Sequence, residues 1–203
     1  MRRMIGVTQL VSMVAEYGER RDSLDQCWSQ LLMQCGLVPI LLPNHPATVS
    51  LLLETLPLDG FLLTGGNNLM RLGGDAPERD ETEQIVLDHV LNTSKPLLGV
   101  CRGMQFIQNH FGILIERISG HVTSGHRISA NRTTRRVNSY HNFGSCSTHP
   151  DLEVIARSED GIVESIRHRI RPILGIMWHP ERNLPFDPID CELLREFFKS
   201  KEF

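Results

Sequence analysis

The sequence predicts an α/β protein of three layers, a mostly parallel sheet with helices on both faces, extended by a β-rich C-terminal addition. Three observations carry that prediction. Four short runs in the first half are apolar almost without interruption, as strands buried on both faces are. Segments with helical spacing separate them, which is the alternation of parallel βαβ units. Beyond Gly112 the apolar pieces shorten and crowd together, the pattern of hairpins. At 203 residues the chain reads as one domain, 1–203, long enough to bury a substantial core.

Taken in order, Met4–Thr8 is the first strand. The stretch Asp22–Cys35 places Leu24, Cys27, Leu31, Leu32 and Cys35 at helical spacing and closes at Gly36, a C-cap residue. Leu37–Leu42 is a continuous apolar strand, Pro43–Pro46 a turn, and Thr48–Leu56 a short helix that Pro57 ends. The third strand, Phe61–Thr64, breaks at Gly65-Gly66. Glu78–Leu91 carries Ile85, Val86, His89 and Val90 on one helical face and leads into a fourth strand, Pro96–Val100. A helix follows to about Phe111. Right-handed crossovers put the loops after such strands along one edge, where open, flavodoxin-like sheets hold their ligands. Gly65-Gly66 and Cys101 are therefore expected to share that edge.

In the second half, Val137–Tyr140, Glu153–Arg157, Gly161–Ile166 and Ile173–Trp178 are β-like. Ser119–Thr134 is polar, basic and without apolar periodicity, and reads as a surface loop or mobile lid. Cys191–Phe198 closes the chain as a helix that packs Leu194 with Phe197 or Phe198.

Composition narrows the function. A hydrophobic content of 40%, a charged content of 22% and the lack of a long apolar run describe a globular protein with no membrane span. The start is too quickly polar for a signal peptide, so the cytoplasm is the expected location. Five scattered cysteines form neither a disulfide framework nor a C-x-x-C pair. A net charge of -3 argues against a nucleic-acid partner. Among the cations, 18 are arginine and three lysine, and arginine is the forked binder of carboxylates and phosphates. They cluster at Arg127, Arg132, Arg135 and Arg136 and at Arg167, Arg169 and Arg171. A solvated face is the ordinary reading of such clusters.

The chemistry concentrates in Pro96–Gln105, where an apolar strand runs into Gly99-x-Cys101-x-Gly103. This is the nucleophile-elbow pattern with cysteine for serine. A side chain held clear of the backbone on a sharp strand-to-helix turn needs neighbours without Cβ, and Gly99 and Gly103 meet that need. The first amides of the following helix favour a thiolate and a developing oxyanion. Cys101 is thus the candidate nucleophile. After the last apolar strand, Trp178-His179-Pro180-Glu181 supplies a base and an orienter, since His179 and Glu181 leave the same face of an extended chain and Pro180 enforces extension at His179. The amide of Arg102 and one from the Gly65-Gly66 turn would form the oxyanion hole. His121, His126, His141 and His149 match no zinc spacing, and no cysteine or carboxylate completes a set, so neither metal nor cofactor is expected.

L-L-T-G-G at 62–66, G-V-C-R-G-M-Q at 99–105 and W-H-P-E at 178–181 resemble the class I glutamine amidotransferase superfamily. Within it, Arg79, Asp80 and Glu83, the C-R-G-M-Q elbow and N-S-Y-H at 138–141 are similar to the γ-glutamyl-γ-aminobutyrate hydrolase group. The resemblance implies hydrolysis of a γ-glutamyl amide through a thioester on Cys101, with His179 and Glu181 completing a triad and Gly66 and Arg102 as oxyanion donors. It further implies Gly65, Gln105, Ser139, Tyr140 and His141 as substrate-binding residues. The group usually continues its N-S-x-H motif as histidine and glutamine, whereas Asn142 and Phe143 stand here, which points away from γ-aminobutyrate as the amine. The basic 127–136 stretch suits a phosphorylated leaving group, and a relative of this architecture acts on a γ-glutamyl nucleotide phosphoramidate, γ-glutamyl-CDP-amidate, in capsule modification. Three readings remain open: a free-standing hydrolase of a small-molecule γ-glutamyl amide, as monomer or homodimer; a glutaminase subunit with a separate synthetase partner; and a non-catalytic binding domain.

Overall fold

The computed structural model describes residues 2–130 and 133–199. The chain opens with β1 (Arg3–Thr8) and a hairpin of β2 (Leu10–Val14) and β3 (Glu19–Ser23). There follow α1 (Gln26–Gln34), β4 (Leu37–Leu42), α2 (Pro46–Thr55), β5 (Gly60–Leu63), α3 (Pro77–Thr93), β6 (Leu97–Val100) and α4 (Arg102–His110). The second half holds β7 (Glu116–Arg117), β8 (Val122–Ala130), β9 (Thr133–Tyr140), β10 (Phe143–Gly144), β11 (Leu152–Ser158), β12 (Val163–His168), β13 (Ile173–Ile176) and α5 (Pro188–Lys199).

The main sheet runs β4-β1-β5-β6-β13-β12-β11-β8-β9. Its pairings are parallel from β4 to β13 and antiparallel from β13 to β9. The parallel sheet with a β-rich C-terminal extension is the architecture the apolar runs predict. Alternation along the central strands shows why those runs had to be continuous. Leu62, Leu98 and Val100 pack in one cluster with Trp28, Leu31, Leu194 and Phe198 of α1 and α5. Phe61, Leu63 and Leu97 point the other way, into a second cluster with Val49, Val86, Val90 and Ile107 of α2, α3 and α4. Successive residues of a strand face opposite sides, so a sheet covered twice needs apolar residues at every position.

Two expectations need correction. The helix expected over Asp22–Cys35 begins only at Gln26, because the Asp25 side chain accepts from the Cys27 amide at 2.9 Å and caps it. Arg20–Ser23 instead pair with Leu10–Met13 in a hairpin. The Ser119–Thr134 stretch is not a loop: β8 and β9 pair across it, from Val122 opposite Tyr140 to Ala130 opposite Thr133. At the sheet edge this hairpin buries few apolar residues besides Ile128 and Val137, so its sequence carries almost no apolar alternation to read. Among the described residues, no helix is long and apolar enough to cross a membrane.

The strand order positions the site. Strand β6 lies between β5 and β13, with Gly99 level with both Leu63 and Gly175. Three neighbouring parallel strands thus end together, and the residues that follow each of them meet above the sheet.

Candidate active site

Cys101 sits at the mouth of β6 with φ 51° and ψ -104°, a conformation that side chains other than glycine seldom adopt. The Cys101 amide donates to Ile176 O at 2.7 Å, and the Gln105 amide donates to Cys101 O at 3.0 Å as α4 begins. Both flanking glycines are required by close packing. A Cβ on Gly99 would lie 2.6 Å from the Gly103 carbonyl carbon, and one on Gly103 would lie 2.2 Å from Leu63 O. With any side chain at either position, α4 would have to lift off β5 and β6, and Cys101 would turn with it.

His179 is held from three sides. The Asn138 side chain clamps its backbone, accepting from His179 N at 2.8 Å and donating to His179 O at 2.8 Å. Its Nδ1–H donates to Glu181 Oε1 at 2.6 Å. Gly65 lies under the ring, where a Cβ would come within 2.6 Å of Cε1. Burial acts to lower the imidazole pKa, but the Cys101 and Glu181 side chains outweigh it and raise the value to about 9. His179 Nε2 is buried and has no hydrogen-bond partner among the described residues.

Cys101 and His179 line one cavity of about 140 Å³, together with Gly66, Arg102, Gln105, Tyr140 and His141. Glu181 lies behind His179, and Gly65 serves the His179 ring. Ser139 is buried away from the cavity and donates its hydroxyl to His121 O at 2.6 Å. Gln105 Nε2 and His141 Nδ1 both donate to Phe143 O at 3.0 Å, which fixes the loop after β9 as a cavity wall.

The arginine clusters lie elsewhere. Arg135 is bound to Asp190 at 2.7 Å and Asp187 at 3.2 Å and lies over the Trp178 ring. Arg127 faces Glu159 at 3.9 Å, and Arg136 is exposed. Arg132 falls outside the described residues. Arg167 pairs with Glu153, and Arg169 caps Pro150 O, both at the surface. Besides Arg102, the cavity is lined by Arg182, which lies 3.6 Å from Glu181 Oε1 and is stacked 4.7 Å from the Tyr140 ring centroid.

Sequence reasoning missed how much the charged start of α3 contributes. Arg79 is fully buried and donates to the carbonyls of Thr64 at 2.7 Å, Gly65 at 3.0 Å and Gly66 at 2.7 Å. Its Nε donates to Glu83 at 3.0 Å, while Glu83 also binds Arg102, whose second partner is Asp80. One network therefore grips both the Gly65-Gly66 turn and the residue after Cys101. Its sequence signal was the four-residue spacing of Arg79 and Glu83 on one helix face. Asn138 was legible only as the first letter of N-S-Y-H.

The peptidase C26 family profile matches residues 3–135 and 122–181. The chain is 29% identical over 199 residues to the γ-glutamyl-CDP-amidate hydrolase of Campylobacter jejuni, covering 96% of each chain. It is 28% identical over 206 residues to a γ-glutamyl-γ-aminobutyrate hydrolase of Escherichia coli O157:H7, covering 82% of this chain and 81% of that one. A crystal structure of a glutamine amidotransferase from Thermotoga maritima superposes with a TM-score of 0.65 at 16% identity, covering 98% of this chain and 91% of that one. The sheet with its helical layers is thus the glutamine-amidotransferase fold. The chain belongs to the peptidase C26 family, among the glutamine-amidotransferase-like hydrolases.

Proposed function

We propose that the chain is a single-domain cytoplasmic hydrolase that cleaves a γ-glutamyl amide to L-glutamate and an amine through a γ-glutamyl thioester on Cys101. The observation that carries this reading is the pairing in one cavity of an elbow cysteine at positive φ with a histidine whose other ring nitrogen is tied to a carboxylate. The Cys101 thiolate attacks the γ-carbonyl, and the amides of Gly66 and Arg102 receive the developing oxyanion. His179, as imidazolium, gives its proton to the departing amine. It then takes a proton from water as that water attacks the thioester, and glutamate leaves. Glu181 keeps Nδ1 protonated and the ring aligned throughout.

As substrate we infer a γ-glutamyl nucleotide phosphoramidate, the class named in the Campylobacter relative, and with it a place in capsule modification. Arg182 and Tyr140 at the rim favour it, since a half-exposed guanidinium over an aromatic ring suits a phosphorylated, stackable leaving group. The test is glutamate release from a panel of γ-glutamyl-CDP-amidate, γ-glutamyl-γ-aminobutyrate, γ-glutamyl peptides and L-glutamine. Preference for the nucleotide compound supports the reading. Preference for γ-aminobutyrate replaces the substrate but keeps the chemistry, and release from none of them would return the chain to a glutaminase subunit or a binding domain.

Two further results are expected. Arg182→Ala should raise KM for the nucleotide amide roughly tenfold, the loss of one charge-assisted contact, and leave KM for γ-glutamyl amides with an uncharged leaving group nearly unchanged. The His179 pKa, raised from 6.5 to about 9, keeps the imidazolium through neutral pH and releases it as pH rises through about 9. A pH profile of kcat/KM should therefore descend near pH 9, and Glu181→Gln should move that limb to lower pH. The same pairing contributes stability that is complete below about pH 6.5 and fades as pH rises through about 9.

A further inference from the structure

Beyond the wall of the catalytic cavity, three histidines converge on one buried carboxylate. His121 Nδ1 lies 3.2 Å and His141 Nε2 3.5 Å from Glu164 Oε1, and His126 Nε2 lies 3.4 Å from Oε2. None of these five atoms has a hydrogen-bond partner among the described residues, although all are buried. The residues come from positions 121, 126, 141 and 164, a spacing no sequence signature would flag.

For His121 and His141 an outer hydrogen bond fixes one protonated ring nitrogen. His121 Nε2 lies 2.9 Å from Asp160 Oδ2, and a carboxylate only accepts, so Nε2 bears the hydrogen and Nδ1 of the neutral ring keeps a lone pair. His141 Nδ1 lies 3.0 Å from the Phe143 carbonyl, so in the neutral ring its Nε2 keeps a lone pair. Both lone pairs are directed at a carboxylate that also only accepts. Buried acceptors facing acceptors repel unless a cation stands between them. Histidine donating its far N–H to a carboxylate or carbonyl is the arrangement that orients metal ligands.

The spacing fits as well. Ligand atoms about 2.1 Å from a tetrahedral ion stand roughly 3.4 Å from one another. The two nitrogen–oxygen separations to Glu164 Oε1, 3.2 Å from His121 and 3.5 Å from His141, bracket that edge. Protons alone serve the cluster poorly, because imidazolium rings with centroids 4.8 and 4.9 Å apart would repel across a single carboxylate.

We propose that His121, His141 and Glu164 bind a divalent transition-metal ion of the zinc class, with His126 beside the second Glu164 oxygen rather than among the ligands. Imidazole and carboxylate donors without cysteine select such an ion over calcium or magnesium, which take oxygen shells. A second cavity, of about 210 Å³, reaches His121, His126 and Asp160 and offers an entry path. The ion would be structural. It would join both ends of the β8–β9 hairpin to β12 and, through His141 and the Phe143 carbonyl that Gln105 shares, brace the cavity wall.

The test uses the untagged chain, with metal content measured by mass spectrometry and the chelator-treated protein titrated with Zn²⁺ and Co²⁺. Expected are close to one equivalent of zinc per chain, a fall in Tm on chelation that Zn²⁺ reverses, and the visible absorption of tetrahedral Co²⁺. Asp160→Asn, at an exposed outer partner, should weaken binding roughly 10- to 100-fold without unfolding the chain, and His121→Ala, which removes a ligand, should weaken it by at least as much. Two results would overturn the proposal: neither thermal shift nor Co²⁺ absorption at saturating metal, or undiminished binding in both variants. Neither readout involves turnover, so failure here and failure of the hydrolase reading are separate results.

Discussion

Cys101→Ala is expected to lower glutamate release from the preferred γ-glutamyl amide by roughly 10⁴-fold or more, the scale seen when a covalent nucleophile is removed. The thioester route needs the Sγ electron pair, and neither the oxyanion amides nor His179 can replace it. The fold should be indifferent. Alanine keeps the Cβ and can hold the same backbone φ of 51°, and the one atom it lacks borders the cavity. Glutamate release measured beside thermal unfolding separates the two effects. Activity within about tenfold of the parent chain would mean that another group attacks, and a large fall in Tm would mean that the loss reports on folding. Iodoacetamide gives an independent reading, since Cys101 opens on the cavity beside His179 and should label at neutral pH well before Cys35 and Cys191, which lie in the core.

Glu83→Gln is expected to be among the most destabilising single changes, costing about 3–5 kcal/mol because it leaves buried charge without its partner. Glu83, Arg79 and Arg102 are 0%, 0% and 1% exposed, so water cannot replace the lost carboxylate. Burial already pulls Arg79 down to about 10, with Arg102 adding to the effect. Burial acts to raise the Glu83 pKa, but the Arg102 and Arg79 guanidiniums outweigh it and hold the carboxyl below its ordinary value. A depressed carboxyl contributes stability that is present above its unfolded value and lost as pH falls through the folded one, so the parent chain should weaken on acidification. In a chain of this size the substitution corresponds to a fall in Tm on the order of 10 °C. Turnover should fall as well, because Arg79 holds the carbonyls of Gly65 and Gly66 and Arg102 follows Cys101. Glu153→Gln is the matched control: its pair with Arg167 at 2.7 Å is exposed, and Tm should scarcely move. Equal effects of the two substitutions would show that the buried network is not what holds the turn.

Much of the fold and the core of the candidate site were legible because they depend on short-range rules. Continuous apolar runs announce strands buried twice, Gly99 and Gly103 announce an elbow, and Pro180 announces an extended His179 two residues from its carboxylate. Each rule acts within a few residues, so each could be read along the chain. Where local signals were weak the reading failed, as at the β8–β9 hairpin, whose edge position buries Ile128 and Val137 but little other apolar surface. The remainder depends on partners distant in sequence. Arg79 and Glu83 look like a charged helix start until α3 packs over the Gly65-Gly66 turn and takes them out of water. The convergence of His121, His126 and His141 on Glu164 follows from placing β8 and β9 beyond β12 in the sheet, not from any interval between them. Amino-acid order alone determined which side chains are candidates for the chemistry and which backbone turns present them. Strand order and burial decided which of them meet, because side-chain contacts across a sheet are set by long-range pairing that no local propensity encodes.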